Sequence, residues 1–331
     1  MTRGFRADMG RENKIRRAAR SPRIVTVGIS PCWDIVCRVD GISWGDHAKI
    51  DSQQCVPAGK ALNICRALTW MGVPSVAAGL WGQSDYGLMA ESLESRGDLV
   101  DVRLTAAAGQ TRRNVTIVDT RNAREMHLRA PGGLATAESL RALSEDIAGL
   151  VHAETLCVFS GSLPEDSLLD DVIAIMRRLR QRGARIVVDT SEKALRRLVE
   201  AGDIEIIKPN LAELRELTGR SINDDTRQVV SAARSIRGAG TVLVSRGPQG
   251  AVVVRGDEAF SGAARGRRPA VSTVGCGDWL LAGFLAAVEG PVEAALERAV
   301  KAATAKAWGW HESMSWDDAA AAIEVETTAA E

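Results

Sequence analysis

"EIIKPNLAELRELT", Glu205–Thr218, changes character halfway along. An apolar run rich in isoleucine ends at Lys208-Pro209-Asn210, and Leu211 to Thr218 then follows a helical pattern. Read together they are a strand end, a proline turn and a helix cap. The same grammar recurs in both directions. "IVTVGI" (24–29), "VAAGLWG" (76–82), "LCVFSG" (156–161), "ARIVVDT" (184–190) and "TVLVSRG" (241–247) are nearly continuous apolar runs that close on small or polar residues. Strands covered on both faces look like this, because neither face can afford polar side chains. Helical stretches separate them: Ala61–Met71, Tyr86–Ser95, Leu168–Arg182 and Thr226–Arg237, with two further helices expected after Asp278. Strand–helix alternation of this length predicts an α/β fold built on a mostly parallel sheet with right-handed crossovers.

Two regions break the alternation. Ile35–Val56 and Val102–Ala130 read as strand–turn–strand without a helix, and they predict a small antiparallel β flap beside the core. The expected organisation is therefore a tail over residues 1–21 and one domain over 22–325, with the flap drawn from about 35–56 and 102–130. The tail has seven basic and two acidic residues and no hydrophobic segment of the kind a secretory signal carries. It is expected to be disordered and to add nothing to the core.

Lys plus Arg and Asp plus Glu balance at 42 each in 331 residues, so no global charge draws the chain to nucleic acid or to an anionic membrane. The longest apolar run, Trp279–Val288, is about half a membrane span and reads as a core helix. The six cysteines form no CxxC pair, and the four histidines are scattered. Reduced thiols and a cytoplasmic protein without a zinc site are the expectation.

In a parallel sheet, ligands bind beyond the carboxyl ends of the strands, so the polar residues there carry the functional information. Asp34 follows the first strand; Gly59, Lys60 and Asn63 lie in "VPAGKALN"; Ser160, Gly161 and Ser162 close another strand; Asp189 closes the next. "VPAGKALN" is not a P-loop, because Gln54 and Ala61 stand where Gly and Ser or Thr are required. Alone, each of these stretches reads as an ordinary turn or cap. "STVGCGD" (272–278) says more, since two glycines at a helix start expose N–H groups that suit an anion, with an acid beside them as a proton acceptor.

The order of the motifs is the stronger signal: a Gly-Lys turn near the N-terminus, K-P-N-x-x-E in the middle, S-x-G-x-x-G after it and G-x-G-D near the end. In that order, over about residues 24 to 310, the chain resembles the ribokinase/PfkB family of carbohydrate kinases. "PAGKALNICRAL", "SGSLP", "DTS" and "TRRNV" are most similar to its sugar-phosphate branch, the 1-phosphofructokinases and tagatose-6-phosphate kinases.

The resemblance implies a ribokinase-like three-layer α/β/α core with a flap that serves as a lid. It makes Asp278 the general base and the backbone of Gly275, Cys276 and Gly277 the anion hole for the transferring phosphoryl group. It assigns Lys208, Asn210, Ser245, Gly247 and Gly250, with Gly275 and Gly277, to ATP. Asn210 and Glu213 would organise Mg²⁺, largely through water. Asp34, Gly59, Asn63 and Ser162 would bind the sugar, while Lys60 and Arg112 would hold the phosphate already on it. The implied reaction is ATP-dependent conversion of fructose 1-phosphate to fructose 1,6-bisphosphate. Tagatose 6-phosphate kinase and a non-catalytic sugar-phosphate sensor are the alternatives. In some relatives such a flap clasps a dimer, so a homodimer is one assembly the resemblance allows. Ala58 and Ala61 stand where glycines are usual, Cys276 replaces a common alanine, Ser30 a usual asparagine, and Glu192 a common glycine.

Overall fold

The computed structural model describes residues 24–330 apart from 46, 96–99, 165–166 and 267; the tail expected over residues 1–21 lies outside the described residues. The strands are β1 (Ile24–Gly28), β2 (Cys32–Val39), β3 (Ser52–Ala58), β4 (Ser75–Gly82), β5 (Asp101–Ala107), β6 (Arg113–Asp119), β7 (Arg124–Leu128), β8 (Leu156–Ser160), β9 (Arg185–Asp189), β10 (Ile204–Ile207), β11 (Ala239–Ser245), β12 (Ala251–Arg255), β13 (Glu258–Ala264) and β14 (Val325–Ala329). The helices are α1 (Lys60–Trp70), α2 (Tyr86–Ser95), α3 (Ala137–Ala148), α4 (Ser167–Gln181), α5 (Glu192–Ala201), α6 (Leu211–Thr218), α7 (Thr226–Arg234), α8 (Cys276–Leu285), α9 (Val292–Ala307) and α10 (Trp316–Ala322).

Ten strands form the main sheet in the order β14-β13-β12-β11-β10-β9-β8-β1-β4-β5. From β5 to β11 every neighbouring pair is parallel, and β11 to β14 continue as an antiparallel ribbon. Side chains on these strands alternate between two apolar layers. Val25, Val27, Cys157, Phe159, Ile186 and Val188 meet helices α3 to α7 on one face. Ile24, Leu156, Val158, Val187 and Leu243 meet α1, α8 and α9 on the other. The strands covered on both faces, as the apolar runs predict, are thus present, as is the three-layer core that the resemblance implies, and the period of two that a strand imposes explains the two apolar layers.

The flap is the four-stranded sheet β3-β2-β6-β7. Its outer pairs, β2–β3 and β6–β7, are antiparallel, and its central pair, β2–β6, is parallel. Residues 102–107 were expected in the flap and instead belong to β5 at the edge of the main sheet, parallel to β4. An edge strand can leave alternate residues exposed, and the exposure pattern of β5 does so, which is why its sequence resembles a flap strand. The sheet also continues past residue 325 through β14, whose polar sequence carries no strand signal. All six cysteines are free, Cys55 being exposed and Cys276 partly exposed.

Parallel pairing brings the ends of β1, β8, β9 and β10 to one edge of the sheet, and the flap rises from the same edge because only three residues separate the end of β1 from the start of β2. The closeness of β1 and β4 there depends on glycine. Gly79 pairs with Gly28, has φ +137°, and would carry a Cβ only 2.1 Å from the Gly28 carbonyl oxygen. Gly79→Ala should therefore destabilise the fold by about 2–6 kcal/mol, the sum of backbone strain and overpacking. Urea unfolding measures it, and a loss below about 1 kcal/mol would show that the two strands part easily.

Candidate active site

Four elements bring charged side chains to one point. Asp189 is the last residue of β9, and Lys208 follows the end of β10. Lys60 opens α1, and Asn63 lies three residues on, on the same face of that helix. Asp278 sits in the first turn of α8.

Asp189 is the hub. Its Oδ1 accepts from Lys60 Nζ at 3.1 Å and pairs with Lys208 Nζ at 3.2 Å, while its side chain is only 1% exposed. Burial alone would raise its pKa, but Lys208 and Lys60 outweigh burial and hold the carboxyl below its usual range. Burial would likewise lower Lys60, and Asp189 and then Asp278 keep it above its usual value.

Asp278 is the second carboxylate. It is buried, and its Oδ2 accepts from Asn63 Nδ2 at 2.8 Å. Burial, then repulsion from Asp189, raise its pKa to about 6 against the opposing pull of Lys60, Asn63 and Lys208. One carboxylate is thereby fixed as a charge and its neighbour is poised to take a proton near neutrality.

The turn before Asp278 is shaped by its glycines. Gly275 has φ +78° and forms the N-cap of α8 without a side-chain cap. A Cβ on Gly277 would lie 3.3 Å from Lys208 Nζ, so the turn packs directly over that lysine. An uncapped helix start above an ammonium group presents the positive potential that an anion would need. Of the three residues expected to form it, Cys276 spends its N–H on the Thr273 carbonyl at 3.3 Å.

The remaining expected residues fall in four places. Gly59 and Lys60 line a small cleft with Ser30, Pro31, Ser160 and Gly161, and Ser162 lies exposed just beyond. Asp34 on β2 accepts from Cys32 Sγ at 3.2 Å and from Asn114 Nδ2 at 3.3 Å. Asn210 and Glu213 form a reciprocal capping box at the start of α6, with bonds of 2.9 and 2.8 Å. Ser245 donates its N–H to the Pro209 carbonyl at 3.0 Å, which ties the Gly247–Gly250 turn to the Lys-Pro-Asn turn. Among the described residues no group of three or more His, Cys, Asp or Glu side chains could hold a metal ion. A single carboxylate, Glu213, already bonded through Oε2, suits a hydrated Mg²⁺ and does not suit an ion caged by protein ligands.

Arg112, expected at the substrate's phosphate, is held by backbone carbonyls. Its guanidinium donates to the carbonyls of Ser30 at 3.0 Å, Pro31 at 3.2 Å and Ala130 at 3.2 Å. It thus buckles the β1–β2 turn to the segment after β7, and among the described residues it shares no hydrogen-bond partner with Lys60. Asn114, which bonds the expected sugar-binding Asp34, carries no signal of that contact in its own segment; the register that sets it opposite Asp34 reveals it. Trp33 donates its indole N–H to the buried carboxylate of Asp85, and Trp279 packs against Trp70 with ring centres 5.1 Å apart.

A pKa raised by folding has a consequence for stability. Asp278 goes from 3.8 to about 6, so its contribution is fully present below 3.8 and lost as pH rises through 6. Replacing it with Asn removes that dependence. The melting temperature of Asp278→Asn relative to the parent should rise between pH 4 and pH 8. A difference that stays constant across that range would show that Asp278 does not titrate there.

Known proteins similar to this chain identify its family. Residues 21–307 match the pfkB family carbohydrate kinases. A 1-phosphofructokinase of Rhodobacter capsulatus is 34% identical over 269 residues, covering 80% of this chain and 83% of the relative. The ATP-dependent 6-phosphofructokinase isozyme 2 of Escherichia coli is 28% identical over 265 residues, 77% and 82% of the two chains. The crystal structure of phosphofructokinase-2 from Escherichia coli in complex with fructose-6-phosphate superposes with a TM-score of 0.82 at 25% identity, over 90% of this chain and 97% of that one. The chain belongs to the pfkB family of carbohydrate kinases.

Proposed function

We propose that this kinase transfers the γ-phosphoryl group of ATP to a hydroxyl of fructose 1-phosphate, giving fructose 1,6-bisphosphate and ADP. The observation that carries the acceptor is the 34% identity to a 1-phosphofructokinase over most of both chains. Fructose 6-phosphate is the second reading, favoured by the similarity to 6-phosphofructokinases at 28% identity. An intact, poised base speaks against a sensor that binds without turnover, because binding alone has no use for it.

In this reading Asp278 accepts the hydroxyl proton as the sugar oxygen attacks the γ-phosphorus and the bond to the β–γ bridging oxygen breaks. Asn63 orients the Asp278 carboxylate through its 2.8 Å bond. The Gly275–Gly277 turn, with Lys208 beneath it, offers positive potential to the phosphoryl oxygens in flight. Glu213 and Asn210 would hold hydrated Mg²⁺, which would neutralise the nucleotide's phosphate charge. Ser245, Gly247 and Gly250 would cradle the nucleotide, and Asp34, Gly59 and Ser162 the sugar. Lys60 and Arg112 would take the substrate's existing phosphate, Arg112 through the two donors its carbonyl contacts leave over.

A homodimer clasped through the flap belongs to the same proposal. Trp44 is 92% exposed in the β2–β3 connection, with Ile42 and Ile50 near it and Met126 and Leu128 on β7 also exposed. Apolar side chains presented this way suit a contact between copies. The protein would work in the cytoplasm as one domain over residues 22–325, with residues 1–21 dispensable for turnover.

The substrate assignment is tested by ADP release with fructose 1-phosphate, fructose 6-phosphate, tagatose 6-phosphate and fructose. Lys60→Ala and Arg112→Ala should each lower kcat/KM for the preferred sugar phosphate by roughly ten- to a hundredfold, the worth of about 1.5–3 kcal/mol per charge-assisted contact. The KM for ATP should hardly move. Equal losses with fructose and with the sugar phosphate would remove the phosphate-holding role from both cations.

A further inference from the structure

Lys306 lies in the last turn of α9, and its surroundings differ from those of the lysines on Asp189. The segment leading into the Gly275 turn rests on the end of that helix, with the N–H groups of Val271 and Ser272 donating to the Ala307 carbonyl at 2.7 and 3.4 Å. Lys306 Cε is the nearest atom, at 3.7 Å, to the position a Cβ would take on Gly275; Asp278 Oδ2 at 3.8 Å and Asn63 Nδ2 at 3.9 Å come next. The ammonium, one bond further on, contacts His311 Nε2 at 3.1 Å and lies 6.0 Å from the centre of the Trp279 ring.

None of these partners cancels its charge. Burial, and then Lys306 itself, push His311 down to about 4, so at neutral pH the imidazole accepts the bond without carrying charge. Glu312 lies 3.6 Å from the same imidazole nitrogen, with a side chain 79% exposed, and forms no ion pair with Lys306 among the described residues. The Cys276 thiol is held up first by burial, with Lys306 pulling it down and Asp278 pushing it up, so the ammonium's field reaches the turn. A lysine serving only the negative end of α9 would sit at the last carbonyls or in water. This one is folded back behind the glycine turn, braced by an imidazole and an indole.

We propose that Lys306 is a positioning residue for phosphoryl transfer, backing the Gly275–Gly277 turn with a fixed positive charge directed at the oxygens of the transferring group. The proposal rests on the kinase reading of that turn. Charge placed before the reaction begins acts most strongly where negative charge concentrates, so it should favour the transition state over bound ATP.

The test uses the full chain and the hexose phosphate that the parent turns over fastest. Lys306→Met keeps the aliphatic stem and removes the charge, and Lys306→Arg keeps the charge. The Met variant should lose about 10- to 100-fold in kcat, with both KM values within about threefold of the parent, and the Arg variant should recover most of the loss. A Met variant with kcat within about twofold of the parent would overturn the proposal, as would Met and Arg variants equally impaired with lowered melting temperatures. A parent that turns over no hexose phosphate would instead sink the kinase reading. Binding then decides the fate of the proposal: with Mg²⁺ and aluminium fluoride as the phosphoryl mimic, Lys306→Met should weaken ADP–fluoroaluminate at least about tenfold while leaving ADP unchanged. Equal affinities of parent and variant for the mimic would contradict it.

Discussion

Everything at this site depends on one buried carboxylate held by two ammonium groups. Asp189 ends β9 in a buried position, where an unpaired charge would be untenable, and Lys60 and Lys208 neutralise it from α1 and from the turn after β10. Breaking such a cluster by removing one member costs about 3–5 kcal/mol, since the charge left behind remains buried. The cluster therefore pins three elements together at the edge of the sheet. It also sets the chemistry, because the fixed charge on Asp189 helps keep its neighbour Asp278 protonated up to about pH 6.

The sheet makes this convergence possible. Parallel strands end at a common edge, so residues distant in sequence meet there without long loops. The flap follows from the same topology. The chain passes from β1 into β2, returns through β3 and delivers Gly59 and Lys60 at the start of α1. Arg112 fastens that excursion by holding three backbone carbonyls, a task no surface charge would have.

The sequence was legible where physics is local. Continuous apolar runs marked the strands of the core, and glycines before an acid at a helix start marked the turn and the buried carboxylate at which the proposed chemistry is placed. Asn210 and Glu213, proposed to organise the metal, make the bonds of a helix cap. Reading failed where the decisive contact is long-range. Val102–Ala107 alternates like a flap strand and belongs to the main sheet because it pairs with β4. β14 has the polar sequence "VETTA" and is a strand because β13 offers it a partner. The bond between Asn114 and Asp34 spans 80 residues and that between Lys60 and Asp189 spans 129, so no pattern within either segment could announce them. Asp189 in particular reads as a strand end until its two lysines are seen.

The central claim is that Asp189 tunes Asp278, and the pH dependence of kcat/KM tests it most directly. The parent should lose activity on acidification with an apparent pKa near 6, as Asp278 takes up a proton. In Asp189→Asn the repulsion is gone and the two lysines turn their charge toward Asp278, so the acid limb should move to lower pH even as overall activity falls. An acid limb that stays near pH 6 in the folded variant would contradict the account.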